Sequence, residues 1–261
     1  MAGNAILAVS FGTSHADTRE KTIDRIEEDI QKAYPDDKVY RAWTSKMIIK
    51  KIWNRDGVKI FNVKEAMEQM KADGITNVLV QPTHVINGIE NDLMQEDVKA
   101  YADAFESISF GTPLLTTEED NIRVAKAVAE DLQPGKENAL VLMGHGTSHY
   151  ANSVYAALDY RFKDMGYDNI FLGTVEAYPS LVSLMKQVHA YHPKKVILAP
   201  FMIVAGDHAK NDLSSEEEDS WRSQFEKEGF QVECLLKGLG ENETIRQIFI
   251  DHIEEARKGE A

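Results

Sequence analysis

Residues 144–149, Gly-His-Gly-Thr-Ser-His, repeat residues 10–15, Ser-Phe-Gly-Thr-Ser-His, and each copy directly follows an apolar run, Leu140–Met143 in one case and Ala5–Val9 in the other. A chain that carries one strand-to-loop device twice is constrained to fold as two related halves. Other segments recur in the same order. Val78-Leu-Val-Gln-Pro82 followed by Asn87-Gly88 matches Val196-Ile-Leu-Ala-Pro200 followed by Ala205-Gly206. Asn121-Ile-Arg123 matches Thr244-Ile-Arg246, and Arg41-Ala-Trp-Thr-Ser45 lies over Gly173-Thr-Val-Glu-Ala177. The spacing drifts from 118 residues (Val78 to Val196) to 134 (Ser10 to Gly144), as loop insertions after an old duplication would produce.

Eight short apolar runs separated by helical patterns predict strands at Ala5–Ser10, Val39–Trp43, Asn77–Gln81, Ser107–Gly111, Ala139–Met143, Ile170–Gly173, Val196–Ala199 and Val232–Leu236. Apolar runs alternating with helices are the signature of parallel strands covered on both faces. Helical spacing is visible in Ile23, Ile26 and Ile30, and in Met94, Val98, Tyr101 and Phe105. It recurs in Tyr150, Val154, Leu158 and Phe162, and in Leu181, Leu184, Val188 and Tyr191. Thr116 with Glu119 reads as a capping box. The polar segment Asp131–Asn138, with its Pro-Gly pair, reads as a linker. The expected class is α/β, with two similar doubly wound lobes of parallel sheet, residues 1–133 and 134–261, and an active-site cleft between them. The C-terminal helix is free to pack back on the first lobe.

At 261 residues and 43% hydrophobic content, the chain can bury one large core or two smaller ones. Its longest apolar stretches, such as Lys195–Ala205, are far short of a spanning helix, and Met1–Ser10 lacks the basic flank of a signal peptide. The expectation is a cytoplasmic protein with no membrane partner. Cys234 is the only cysteine, which excludes an intrachain disulfide or thiolate metal cluster and suits a buried strand position. A formal charge of -14 argues against nucleic acid as a partner. It suits metal cations, but it equally describes an ordinary soluble enzyme. A homo-oligomer is left open.

In open parallel sheets, ligands bind outside the carboxyl ends of the strands. His145 lies just beyond the fifth predicted strand, Glu176 beyond the sixth, and His208 follows the seventh after a loop containing Gly206 and Asp207. Two imidazoles and a carboxylate suit a borderline divalent ion, Co, Ni, Fe or Zn, with positions left open for a substrate. The aligned first-lobe positions carry Phe11 and Thr44, with Glu90 near the counterpart of His208, so that lobe lacks the set. Singly, each residue has a plainer reading: His145 as a loop hydrogen-bonder, Glu176 as a solvated acid before Tyr178-Pro179, His208 as the cap of a helix near Asn211. Their placement after three consecutive strands of one lobe favours a shared site.

Several motifs occur in order over nearly the whole chain: Val9-Ser-Phe-Gly-Thr-Ser14, Met143-Gly-His-Gly-Thr-Ser148, Val175-Glu-Ala-Tyr-Pro179, and Val204-Ala-Gly-Asp-His208 followed by Asn211-Asp212. With Asp219-Ser-Trp221 and Gly238-Leu-Gly-Glu-Asn242, they resemble the anaerobic cobalt chelatases of the CbiK type. The resemblance implies a class II chelatase fold and ATP-independent insertion of Co²⁺ into sirohydrochlorin, or precorrin-2, in early-insertion cobalamin synthesis. Cobalt is then a substrate, the tetrapyrrole is the partner, and no organic cofactor is expected. The resemblance also implies that His145, Glu176 and His208 hold the metal and that His145 accepts a proton. Because metallation releases two protons, the Glu176 carboxylate, whose charge also favours the bound dication, is the candidate for the second.

A macrocycle needs apolar faces and anchors for its carboxylates. Phe11, Leu114, Tyr178 and Met202 sit near strand ends and are candidate faces, with core packing as the competing explanation. The N–H groups around Gly12-Thr13-Ser14 and Gly146-Thr147-Ser148 are candidate anchors, because helix N-termini attract anions. Arg41, Lys46 and Lys50 are weaker ones, and His15, His149 and His84 either touch substrate or cap. Two alternatives stand beside this reading. One is insertion of Fe²⁺ or Ni²⁺ into a related tetrapyrrole, because the ligand set does not separate these ions. The other is a non-catalytic tetrapyrrole or metal carrier.

Overall fold

The computed structural model describes Gly3–Gly259. It divides into two compact units: the chain up to Thr116 together with the segment from Ile245 onward, and Thr117–Thr244. The first unit contains β1 (Gly3–Ser10), α1 (Ala16–Lys21), α2 (Ile23–Ala33), β2 (Lys38–Trp43), α3 (Lys46–Asp56), α4 (Val63–Ala72), β3 (Ile75–Pro82), α5 (Ile89–Lys99) and β4 (Ser107–Phe110). The second contains α6 (Glu118–Leu132), β5 (Ala139–Gly144), α7 (Ser153–Asp164), β6 (Ile170–Thr174), α8 (Leu181–Tyr191), β7 (Val196–Pro200), a π turn (Ala209–Leu213), α9 (Trp221–Lys227) and β8 (Val232–Cys234). The last helix, α10 (Glu243–Lys258), runs back into the first unit.

Each unit has one four-stranded parallel sheet, ordered β2-β1-β3-β4 in the first and β6-β5-β7-β8 in the second. The two orders are the same when β1 to β4 are matched with β5 to β8, so the sequence repeat is a repeat of topology. The central strands explain the unbroken apolar runs. In β1, Ala5, Leu7 and Val9 pack with Met67 and Met70 of α4 and Met94 and Val98 of α5, while Ile6 and Ala8 are fully buried on the other face. In β5, Ala139, Val141 and Met143 pack with Leu184 and Val188 of α8 and Phe225 of α9, while Leu140 and Leu142 are buried opposite. At roughly 1.5–3 kcal/mol per fully buried large aliphatic side chain, these two strands anchor their units.

The boundary between units falls before α6, not at residue 133 after it. The cause is packing. α6 buries Val124, Ala125 and Val128, and its polar groups bond within the second unit: Arg161 to Glu118, Lys237 to Asp131 at 2.6 Å, and Asn242 Nδ2 to the Ala127 carbonyl. α10 is tied to the first unit by Arg246 with Asp29 at 2.6 Å, by Arg257 with Asp37, and by His252 Nδ1 donating to the Thr112 carbonyl at 2.9 Å. Each repeat has thus given its final helix to the other unit's fold.

Three local readings shift. The capping box of α6 uses Thr117 and Asp120, because the Thr116 hydroxyl already donates to the Pro113 carbonyl. α5 ends at Lys99, so Tyr101 and Phe105 reach the core from the segment after it. α7 buries Tyr155, Leu158 and Phe162, whereas Tyr150 precedes it and is exposed. Cys234 closes β8 half-buried, and burial pushes its thiol pKa up.

His84, two residues past β3, is buried with neither ring nitrogen hydrogen-bonded, and burial pushes its pKa down to about 4. It neither caps a helix nor offers a ligand surface. Because the folded pKa lies below the ordinary histidine value, its contribution to stability is present above about pH 6.5 and is lost as pH falls toward 4. Urea unfolding at about pH 7 and about pH 4.5 is expected to show wild type losing about 2–3 kcal/mol more than His84→Leu. Equal losses would mean that His84 is solvated.

Candidate metal and active site

The second sheet's hydrogen bonds continue past its strand ends, and this builds the site. The Val175 N–H donates to the Gly144 carbonyl at 3.0 Å and the Glu176 N–H to the His145 carbonyl at 2.9 Å, so residues 145 and 176 leave the ladder side by side. On the other flank, the Phe201 N–H donates to Met143, aligning the β7 exit that leads to His208. Gly146 follows with φ of +86°, and a Cβ there would stand 2.8 Å from the Thr174 Cβ and 2.9 Å from the Ala177 nitrogen. Only glycine lets this loop lie flush against the end of β6. Asn152 secures it further: its Oδ1 accepts from the Thr147 N–H at 3.0 Å and its Nδ2 donates to the Tyr178 carbonyl at 2.6 Å.

His145, Glu176 and His208 converge, with one ligand atom from each lying within 4.8 Å of the others. Three donors bound to one ion about 2.1 Å away stand about 3.0–3.6 Å apart, so side-chain movements on the order of an ångström close the set. The two imidazoles meet edge to face, with centroids 4.6 Å apart. Their tautomers follow from their partners. His145 Nδ1 lies 2.8 Å from the Gly146 carbonyl and His208 Nδ1 lies 2.7 Å from Asp212 Oδ2, and both partners only accept. Each Nδ1 therefore carries a proton, and in the neutral ring the lone pair is left on Nε2. The side chains of His145, Glu176 and His208 are 42%, 55% and 37% exposed, which leaves room for further ligands.

The other candidate residues divide between the units. In the second, Tyr178 is exposed beside Asn152, while Met202 is half-buried against the core. The expected anion cradle at Gly146-Thr147-Ser148 is partly spent, because the Thr147 N–H serves Asn152 and the His149 N–H serves Thr147 Oγ1. His149 caps the next turn, accepting from the Ala151 N–H, with Tyr150, 85% exposed, against its ring. In the first unit, Phe11 is exposed at the matching loop, Gly12 has φ of +101° against the Trp43 ring, and Thr13 and Ser14 are buried. Leu114 is fully buried and offers no face, because its N–H is bonded to the His84 carbonyl and its side chain is core. Arg41 is held by Glu27 and Asp24, whereas Lys46 and Lys50 are exposed on α3. His208 occupies the N-cap position of the π turn, which begins at Ala209, but its side chain makes no capping bond, because Nδ1 is turned to Asp212. Asp212 and Asn152 are the site residues whose roles the sequence alone left unread.

Solved structures place the fold. The sirohydrochlorin chelatase SirB from Bacillus subtilis subspecies spizizenii, in complex with cobalt, matches with a TM-score of 0.65 over 98% of this chain and 96% of that one, at 13% identity. CbiX, described as the terminal enzyme for biosynthesis of siroheme in denitrifying bacteria, matches with a TM-score of 0.56 over 97% and 99%, at 14% identity. The architecture is therefore that of the metal chelatases.

Sequence comparison narrows the class. The family model for cobalt chelatase (CbiK) matches residues 4–258, and the chain belongs to that family. The sirohydrochlorin cobaltochelatase of Salmonella typhimurium is 37% identical over 253 residues, 97% of this chain and 96% of the relative. The sirohydrochlorin cobaltochelatase CbiKC of Nitratidesulfovibrio vulgaris is 30% identical over 260 residues, 98% and 91%. No helix among the described residues is long and apolar enough to cross a membrane.

The two glycines give a paired test. Gly146→Ala is expected to lower stability by about 2–3 kcal/mol and to weaken Co²⁺ binding, because the loop carrying His145 must move away from Ala177. Gly12→Ala meets the same strain against Trp43 and should lower stability alike while leaving Co²⁺ binding intact. Thermal unfolding and Co²⁺ titration of both variants check this.

Proposed function

We propose that this chain inserts Co²⁺ into sirohydrochlorin, or its precorrin-2 form, without ATP, as a step of anaerobic cobalamin synthesis. The observation that carries the proposal is the convergence of His145, Glu176 and His208 in a chain that matches the cobalt chelatase family from residue 4 to residue 258. The relatives' names supply cobalt and sirohydrochlorin.

Metallation exchanges two pyrrole N–H protons for a dication, so the site must hold the ion, accept protons and let the ion go. Neutral imidazoles and a carboxylate bind Co²⁺ readily, and three protein ligands leave coordination positions for incoming pyrrole nitrogens. His145 is the first proton acceptor. Its Nδ1 proton is committed to the Gly146 carbonyl, so ligation and proton uptake both use Nε2 and must follow one another. As the ion passes to the macrocycle, His145 Nε2 is freed and takes one pyrrole proton. Glu176 takes the second, and its charge favours the ion before transfer. Gly146, Thr147, Tyr178 and Met202 of the second unit are the proposed macrocycle contacts, and Phe11 is the exposed candidate of the first; Gly12, Thr13 and Ser14 are buried behind it. Leu114, being buried, acts only by supporting the chain around it.

His145→Ala removes ligand and base together, and turnover with sirohydrochlorin and Co²⁺ is expected to fall at least ~100-fold with the fold intact. Near wild-type turnover would refute the assignment. Glu176→Gln keeps the shape and loses the charge, so its expected signature is a raised Co²⁺ requirement at unchanged sirohydrochlorin affinity. Initial rates against each substrate distinguish the effects. The visible spectrum of sirohydrochlorin during the same assay separates an enzyme from a carrier, which would bind the macrocycle without accelerating metallation.

A further inference from the structure

We infer that Asp212 is a positioning residue for metal insertion: through His208 Nδ1 it fixes the tautomer and the orientation of that ring, so that Nε2 faces the ion. The inference rests on the proposed reading of His208 as a metal ligand. A carboxylate oxygen 2.7 Å from a ring nitrogen can only accept, so the bond writes the proton onto Nδ1 and leaves the lone pair on Nε2. In free histidine the opposite tautomer is accessible, and the ring can rotate away. The bond removes both freedoms before the ion arrives.

The local backbone accounts for the pairing. Residues 209–213 form a π turn, and a helical turn of this kind puts side chains four residues apart on one face. His208 and Asp212 are such a pair. The turn starts directly after His208, which follows Gly206 and Asp207, and its buried Ala209 and Leu213 hold it against the core. His145 is arranged differently, because its Nδ1 proton goes to a neutral carbonyl. Glu176 Oε2 lies 3.8 Å from His145 Nδ1, beyond hydrogen-bond distance, so His208 is the imidazole whose Nδ1 is hydrogen-bonded to a carboxylate. Together with Glu176, this places two formal negative charges around a dication, one as a ligand and one behind a ligand.

A merely structural role for the pair is disfavoured by its surroundings. His208 and Asp212 are 37% and 44% exposed, and ion pairs in such a position add little to stability. Outer partners of metal-bound histidines, in contrast, typically change metal affinity ~10–100-fold when removed. The two roles thus predict different measurements.

The test uses the full chain with Asp212→Ala and Asp212→Asn. Long-range proton–nitrogen NMR of the imidazoles reads the His208 tautomer directly, and titration with CoCl₂ reads affinity in the absence of turnover. For Asp212→Ala the expected result is loss of the fixed Nδ1–H tautomer and Co²⁺ affinity weakened ~10–100-fold, with sirohydrochlorin KM and the unfolding midpoint unchanged. Asp212→Asn retains an acceptor oxygen and should keep the tautomer while losing part of the affinity. An Asp212→Ala protein with wild-type tautomer and wild-type Co²⁺ affinity, beside a His208→Ala protein that has lost affinity, overturns this inference alone. Unchanged Co²⁺ affinity in His208→Ala overturns the ligand reading, and this inference with it.

Discussion

The second unit's site depends on a missing side chain. Gly146, held at positive φ, lets the loop after β5 lie directly against Thr174 and Ala177, closer than any Cβ would permit. With the loop at that distance, the sheet's ladder runs on through the Glu176 N–H and the His145 carbonyl, and the side chains of His145 and Glu176 emerge as neighbours. Lift the loop and the ladder ends at Gly144. His145 would then swing on a free segment, and the 4.8 Å ligand set would have no fixed member.

The first unit shows the same device put to another use. There the Thr44 N–H bonds to Ser10, the Ser45 N–H to Phe11, and the Thr83 N–H to Val9, reproducing the three bonds around β5. This ladder pairs Phe11 with His145 and Ser45 with Glu176, so the counterpart of the glutamate is Ser45, one residue beyond Thr44, the partner that matching the sequence segments suggests. The register is corroborated by the glycines, since Gly12 faces Trp43 where Gly146 faces Thr174. Ser45 caps α3, accepting from the Ile48 N–H. One copy spends its strand-end positions on an aromatic and a helix cap, while the other places there a histidine and a glutamate, the proposed metal ligands. Because the backbone device is sufficient to hold either set, the side chains were free to diverge.

What the sequence reveals and what it hides follow from the range of the interactions. The central strands β1, β5 and β7 are readable because a parallel strand buried on both faces must be apolar along its length, whereas the edge strands β2, β4 and β8 are read from shorter, mixed runs. The ligand set is readable because strand-end geometry places residues 145, 176 and 208 at one edge without any knowledge of side-chain contacts. The exchange of α6 and α10 is not readable, since each helix has an ordinary apolar face and nothing in its sequence says which sheet it will cover. The same holds for polar groups with distant partners. Arg41 looks available until Glu27 and Asp24 are brought to it, and the Thr147 N–H looks available until Asn152 turns back on it. Asp212 lies between these cases. Its spacing from His208 is visible in the sequence, but the bond to Nδ1, and with it the choice of tautomer, is visible only in the structure.

Rigid backbone and half-open side chains answer two demands that pull against each other in a metal-inserting enzyme. A fully buried His-Glu-His set would have to be paired closely with its ion to offset desolvation of the charges, and an ion so held would not leave. A fully flexible set would not gather the ion at all. Here the positions of the Cα atoms are fixed by the ladder and by Gly146, while the side chains remain 37–55% exposed and the donors stand wider than a closed coordination shell requires. Gathering the ion then needs side-chain rotation rather than backbone movement, and releasing it requires no breakage of the fold. On the proposed reading the site thereby fixes where the ion waits without fixing how tightly, and the macrocycle's four nitrogens, which no three-ligand site can match in number, decide the direction of transfer.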